Sequence, residues 1–105
     1  MIKALPTELN HADLAQMQGF LLLEFGAHWC SYCQAAQPYI TKALALYPYV
    51  QHIKIEDGKG KRLGRFYAVK LWPTLILLND GVEIGRVIRP MGADQIMQLL
   101  ISIES

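Results

Sequence analysis

The run Phe20-Leu21-Leu22-Leu23-Glu24-Phe25 is apolar except at Glu24. A strand half-exposed to water alternates apolar and polar residues. A run without alternation needs cover on both faces, which puts it in the middle of a layered α/β domain. The flanking segments supply the layers. Asn10, with Asp13 three residues on, predicts a helix start, and Gly19 a stop. Ser31 to about Tyr47 has helical periodicity, with Ile40, Ala43, Leu44 and Tyr47 on one face and Pro38 inside to kink it. Val50 to Ile55 alternates as a strand, with Ile53 and Ile55 sharing a face. A turn at Gly58-Lys59-Gly60 precedes a short helix marked by Leu63, Phe66 and Tyr67. Thr74–Leu78 and Val82–Ile88 are strands joined by Asn79-Asp80-Gly81, a hairpin signal. Ala93 to about Ile103 repeats Ile96, Leu99, Leu100 and Ile103 at i, i+3, i+4 and i+7. The expected architecture is a three-layer α/β/α sandwich around a mixed, mainly parallel sheet ending in a β-hairpin.

With 105 residues, 52% of them hydrophobic and 18% charged, the chain reads as one domain over 1–105 that needs no metal or structural disulfide to fold. A formal charge of +1 gives no reason to expect nucleic acid or a membrane surface as partner. Met1 to Pro6 shows no apolar leader and no run is long enough to span a bilayer, so a native start at Met1 implies a cytoplasmic chain. A monomer is the default expectation.

The two cysteines, Cys30 and Cys33, are three positions apart. A bridge closing so small a loop contributes roughly 2 kcal/mol at best, so its purpose is to open and close rather than to brace the fold. Its placement is informative: Trp29-Cys30-Ser31-Tyr32-Cys33 follows the buried strand and opens a long helix. Backbone N–H groups in the first turn lack intrahelical partners and the helix dipole is positive there. A thiolate at Cys30 is stabilised by both, which makes it a nucleophile, and the i, i+3 spacing sets Cys33 beside it to resolve a mixed disulfide.

These residues resemble the thioredoxin family over nearly the whole chain. Leu23-Glu24-Phe25-Gly26-Ala27-His28-Trp29-Cys30 is similar to the family's strand and active-site approach. Pro38 matches its helix-kinking proline, Trp72-Pro73-Thr74 its cis-proline loop, Asp80-Gly81 its hairpin turn, and Met91-Gly92-Ala93 its glycine turn before the last helix. The resemblance implies the thioredoxin fold and a thiol–disulfide oxidoreductase that reduces protein disulfides with no bound cofactor beyond the Cys30–Cys33 couple. It implies disulfide-containing proteins as substrates, a thioredoxin reductase or another thiol donor as electron source, and a cis Pro73 against the sulfurs. Trp29, Ser31, Tyr32, Trp72, Pro73 and Gly92 are then the expected substrate contacts. Glu24, six residues before Cys30, matches the family's buried carboxylate. Unpaired in an apolar strand, it should have a raised pKa and serve as proton acceptor or donor for Cys33. His52 falls near where the family has a lysine beside that carboxylate.

The chain departs from the family at Ser31-Tyr32, where Gly-Pro is usual, at Gly26, where an aromatic is usual, and at Trp72, where an aliphatic is usual. Three other readings compete with the reductase: an oxidase or isomerase of an oxidising compartment, a non-catalytic binding module of the same fold, and a metal site using His28, Cys30 and Cys33. The last lacks a fourth ligand.

Overall fold

The computed structural model describes residues 9–104, so the reading of Met1 to Pro6 lies outside the described residues. In chain order the elements are α1 (His11–Ala15), β1 (Phe20–Gly26), α2 (Ser31–Leu44), β2 (Gln51–Glu56), α3 (Arg62–Phe66), β3 (Thr74–Asn79), β4 (Val82–Ile88) and α4 (Ala93–Ile101). A 3₁₀ turn, Ser102–Glu104, extends the last helix.

β1 is buried from Leu21 to Gly26, and its side chains divide by parity. Leu22 joins Leu75 and Leu77 of β3 against Ala36, Ile40 and Ala43 of α2 and Ile96 and Leu100 of α4. Leu21, Leu23 and Phe25 join Ile76 and Leu78 against Leu14 of α1, Ile53 of β2 and Leu63 of α3. Two cores on opposite sides of one sheet are what an unalternating strand requires, and the three-layer sandwich follows. The same parity fixes where Glu24 goes: it lies on the Leu22 side, facing α2.

The sheet order is β2-β1-β3-β4. β1 pairs with β2 in parallel, whereas β1–β3 and β3–β4 are antiparallel. The sheet is mixed as expected but not mainly parallel. The reason is where the connection between β2 and β3 ends. β2 ends at Glu56, opposite Gly26, and β3 starts at Thr74, opposite Phe25, so both flank the same end of β1. The Asp57–Pro73 connection, with the five-residue α3 in it, returns to the end of the sheet it left, so β3 runs back antiparallel to β1.

The hairpin turn at Asp80 (φ 50°) and Gly81 (φ 83°) has both central residues in the left-handed region, as a two-residue type I′ loop demands. Gly19 does not stop α1, which ends earlier with Gln16 as its cap. Instead it starts β1 at φ 84°, accepting from the Asp80 N–H at 2.9 Å and donating to Asp80 Oδ1 at 2.7 Å. The hairpin tip is thereby fastened to the far end of β1, leaving the Gly26 end to build the site. Among the described residues no helix is long and apolar enough to cross a membrane.

Candidate active site

Four segments meet at the Gly26 end of β1: the first turn of α2, the end of β2, the Leu71–Thr74 approach to β3, and the Ile88–Gly92 link to α4. Cys30 is the N-cap of α2, with extended backbone (φ −80°, ψ 119°), and its Sγ accepts the Cys33 N–H at 3.2 Å. A side-chain acceptor at this position is what a helix start selects for, and here sulfur fills the role. Cys33 sits one turn on, and both thiols are buried, each 6% exposed. They form a small cluster with Ala27, against which Trp72 packs.

The two thiols are not equivalent. Burial, then the hydrogen bond and charge of Cys30, then the charge of Glu24, push the Cys33 thiol up to about 11, against a weaker opposing contribution from the Ala27 backbone. Cys33 is therefore a protonated thiol at neutral pH, while Cys30 faces an oriented backbone donor.

Glu24 is buried as expected but not unpaired. It receives His52 Nε2 at 2.8 Å and Gln37 Nε2 at 2.7 Å. Burial alone raises a carboxyl's pKa; here the hydrogen bonds from His52 and Gln37, with the charges of His52 and Lys54, outweigh it and hold Glu24 below its ordinary value. The expected raised pKa is thus corrected, because the partners come from α2 and β2 and are not adjacent in sequence. An ionised carboxylate has no proton to give, so His52 Nε2 must carry the hydrogen between them. Gln37 also donates to the Cys33 carbonyl at 3.0 Å, tying the carboxylate to the turn that carries the second cysteine.

A pH dependence follows. A carboxyl with a lowered folded pKa adds stability that is present above its unfolded value and is lost as pH falls through the folded one. The reduced wild-type chain should therefore lose thermal stability relative to Glu24→Gln as pH drops below 4.5. Melting followed by circular dichroism from pH 7 to pH 3 checks this, and a gap that stays constant contradicts it.

Gly26 has a reason to lack a side chain: a Cβ there would lie 2.6 Å from Cys33 Sγ. Without one, a cleft of about 280 Å³ opens between α2 and β2, and Glu24, Gly26, Cys33, Gln37 and Lys54 all line it. The second cysteine and the buried carboxylate thus line the same cleft.

The outer rim is aromatic. Trp29 is 66% and Tyr32 55% exposed. Trp29 meets Trp72 edge-on, with centroids 5.5 Å apart, and Trp72 Nε1 donates to Asp57 Oδ2 at 3.0 Å. Ser31 is exposed in the first turn of α2. The Trp72–Pro73 peptide bond is cis, and Pro73 lines a second groove with Tyr32, Tyr39, Arg89 and Met91. Gly92 lines neither opening; it caps α4 in extended conformation. Arg89, Pro90 and Met91, just upstream of Gly92, line the groove.

Sequence reading missed Gln37, Asp57 and Arg89. Gln37 was within reach of pattern, since it lies one turn past Cys33 on the same helix face. Asp57 and Arg89 gave no such signal, because loop paths decide what they touch. The His28 ring is engaged with Glu56 at 3.0 Å. Among the described residues no three His, Cys, Asp or Glu side chains are grouped to hold a metal.

Comparison with known proteins agrees with this geometry. A family model described as Thioredoxin matches residues 2–102. The chain is 32% identical to a thioredoxin of Chlamydia trachomatis over 91 residues, covering 87% of this chain and 88% of the relative. It is 35% identical over 98 residues to protein disulfide-isomerase A3 of Gallus gallus, covering 89% of this chain but only 19% of that much longer protein. Among solved structures, reduced thioredoxin 2 from Pseudomonas aeruginosa superposes with a TM-score of 0.83 at 43% identity, covering 98% of this chain and 96% of the other.

Proposed function

The chain belongs to the thioredoxin family and is a thiol–disulfide oxidoreductase acting on protein disulfides, and from that premise we propose how its residues divide the reaction. Cys30 attacks as thiolate. Its sulfur bonds to one sulfur of the substrate cystine, whose S–S bond breaks, and the other substrate sulfur leaves as thiolate and takes a proton. Cys33 then gives up its proton and attacks Cys30 Sγ. The Cys30–Cys33 disulfide forms, the mixed disulfide breaks, and the second substrate thiol departs. Two electrons have passed from the dithiol to the substrate.

The observation that carries this assignment is the Cys30 Sγ accepting the Cys33 N–H at the head of α2, beside a second thiol pushed up to about 11. The order of events follows. While Cys30 is free, its hydrogen bond and charge help keep Cys33 protonated. Once Cys30 is tied up in a mixed disulfide, those two influences disappear and Cys33 deprotonates more readily, when it is needed. Glu24, held ionised, can only accept a proton. Its charge also favours the Cys33 thiol, and through Gln37 it positions the Cys33 turn. Trp29, Ser31, Tyr32, Trp72, Pro73 and Gly92 form the substrate rim.

We assign the net direction as reduction, by a monomer recharged by a thioredoxin reductase or another thiol donor. What favours it is the family model described as Thioredoxin over residues 2–102, together with the 43% identity and TM-score of 0.83 to the reduced pseudomonal thioredoxin 2. Equilibrating the Cys30–Cys33 couple with glutathione tests the direction. A potential near the roughly −270 mV of thioredoxins is expected, and one near the roughly −180 mV of disulfide isomerases would overturn it.

A further inference from the structure

The groove beside Pro73 has a volume of about 210 Å³, and most of its wall is apolar: Tyr32, Tyr39, Pro73, Pro90 and Met91. Arg89 supplies the one charge among its lining residues. Three features show that this arginine is placed rather than stray. Its backbone adopts φ 50°, a left-handed conformation that is uncommon for a long side chain. Its Nε donates to the Trp72 carbonyl at 2.8 Å, and its guanidinium carbon lies 4.1 Å over the centre of the Tyr32 ring. The planar group is thus clamped between the residue before Pro73 and a residue of the active-site turn, two positions after Cys30. Among the described residues no carboxylate pairs with it, so its outer N–H donors face the groove uncommitted.

The geometry points to Arg89 as a specificity-determining residue that selects protein substrates carrying an aspartate or glutamate close to the cystine that Cys30 attacks. An apolar trough with one pre-oriented guanidinium is complementary to an extended segment with apolar side chains and one carboxylate. Arginine is suited to that pairing because its fork meets both carboxylate oxygens and its orientation is already fixed. The Tyr32 face and the Trp72 carbonyl hold the group still, so little freedom is lost when a substrate arrives. This inference rests on Cys30 being the attacking residue, since that is what brings a substrate segment across Tyr32.

The experiment uses the full chain and a series of disulfide-bonded peptides. A single glutamate is placed one, two or three residues to either side of the attacked cysteine, and each peptide has a glutamine counterpart. Wild-type kcat/KM is expected to favour glutamate about fivefold or more in at least one register, with the preference shrinking as salt is raised. Arg89→Gly suits the left-handed backbone and should abolish the preference; Arg89→Lys should keep part of it. If Arg89 only braced the Trp72 loop, Arg89→Gly would slow glutamate and glutamine peptides alike and leave their ratio unchanged, which would overturn the proposal. Equal wild-type rates for both peptides in every register would also overturn it, with the oxidoreductase assignment intact. If the wild-type chain reduces no peptide of either kind, it is the reading of Cys30 that fails.

Discussion

Replacing Cys30 by serine is expected to lower catalysed reduction of a protein disulfide by at least about a thousandfold, because the step that opens the substrate cystine loses its nucleophile. The variant is a clean one. Serine is a preferred helix N-cap, so its hydroxyl can accept the Cys33 N–H that Cys30 Sγ now accepts at 3.2 Å, and α2 keeps its start. Cys33 is a poor substitute, because it is buried one turn inside the helix, and burial, the largest cause of its raised pKa, does not depend on Cys30. Precipitation of reduced insulin chains with dithiothreitol as electron source measures the effect. Activity that survives at more than a few per cent would contradict the assignment.

Replacing Cys33 by serine is expected to have the opposite signature. The first attack proceeds, and the mixed disulfide then has no internal thiol to resolve it. In the wild-type chain Cys33 sits one helical turn from the bonded sulfur, so resolution is intramolecular and fast. In Cys33→Ser, incubated with a protein disulfide and no small thiol, most of the chain should accumulate as a covalent adduct of one protein and one substrate. Intact-mass spectrometry reads the adduct, and a reductant should release it. Absence of the adduct, or an adduct equally abundant in the wild type, would show that the thiols do not act in this order.

Much of this site was legible in the sequence, and the parts that were not share a cause. The unalternating Phe20–Phe25 run required a two-sided strand, and that strand delivers Cys30 to the head of α2 as its residue spacing implied. The burial of Glu24 was equally legible, since an acid inside an apolar run has few places to go. Its charge state was not, because His52 and Gln37 come from a different strand and helix, and only the three-dimensional arrangement supplies their hydrogen bonds. The sheet's mixed character was readable from the hairpin signal at Asp80-Gly81. The direction of β3 depended on how far the Asp57–Pro73 connection travels, which no periodicity encodes. The place of Arg89 in the groove beside Pro73 was not legible, because it depends on a positive φ that its residue type disfavours.

The most direct test of the division between the two sulfurs is a brief alkylation of the fully reduced chain at pH 7.5, followed by peptide mapping. As whole residues both cysteines are buried to the same extent, each 6% exposed. A thiol pushed up to about 11 leaves roughly three molecules in ten thousand as thiolate at that pH. The account predicts that Cys30 is modified first and Cys33 stays free until Cys30 is blocked. Label appearing on Cys33 first, or on both at equal rates, would contradict it.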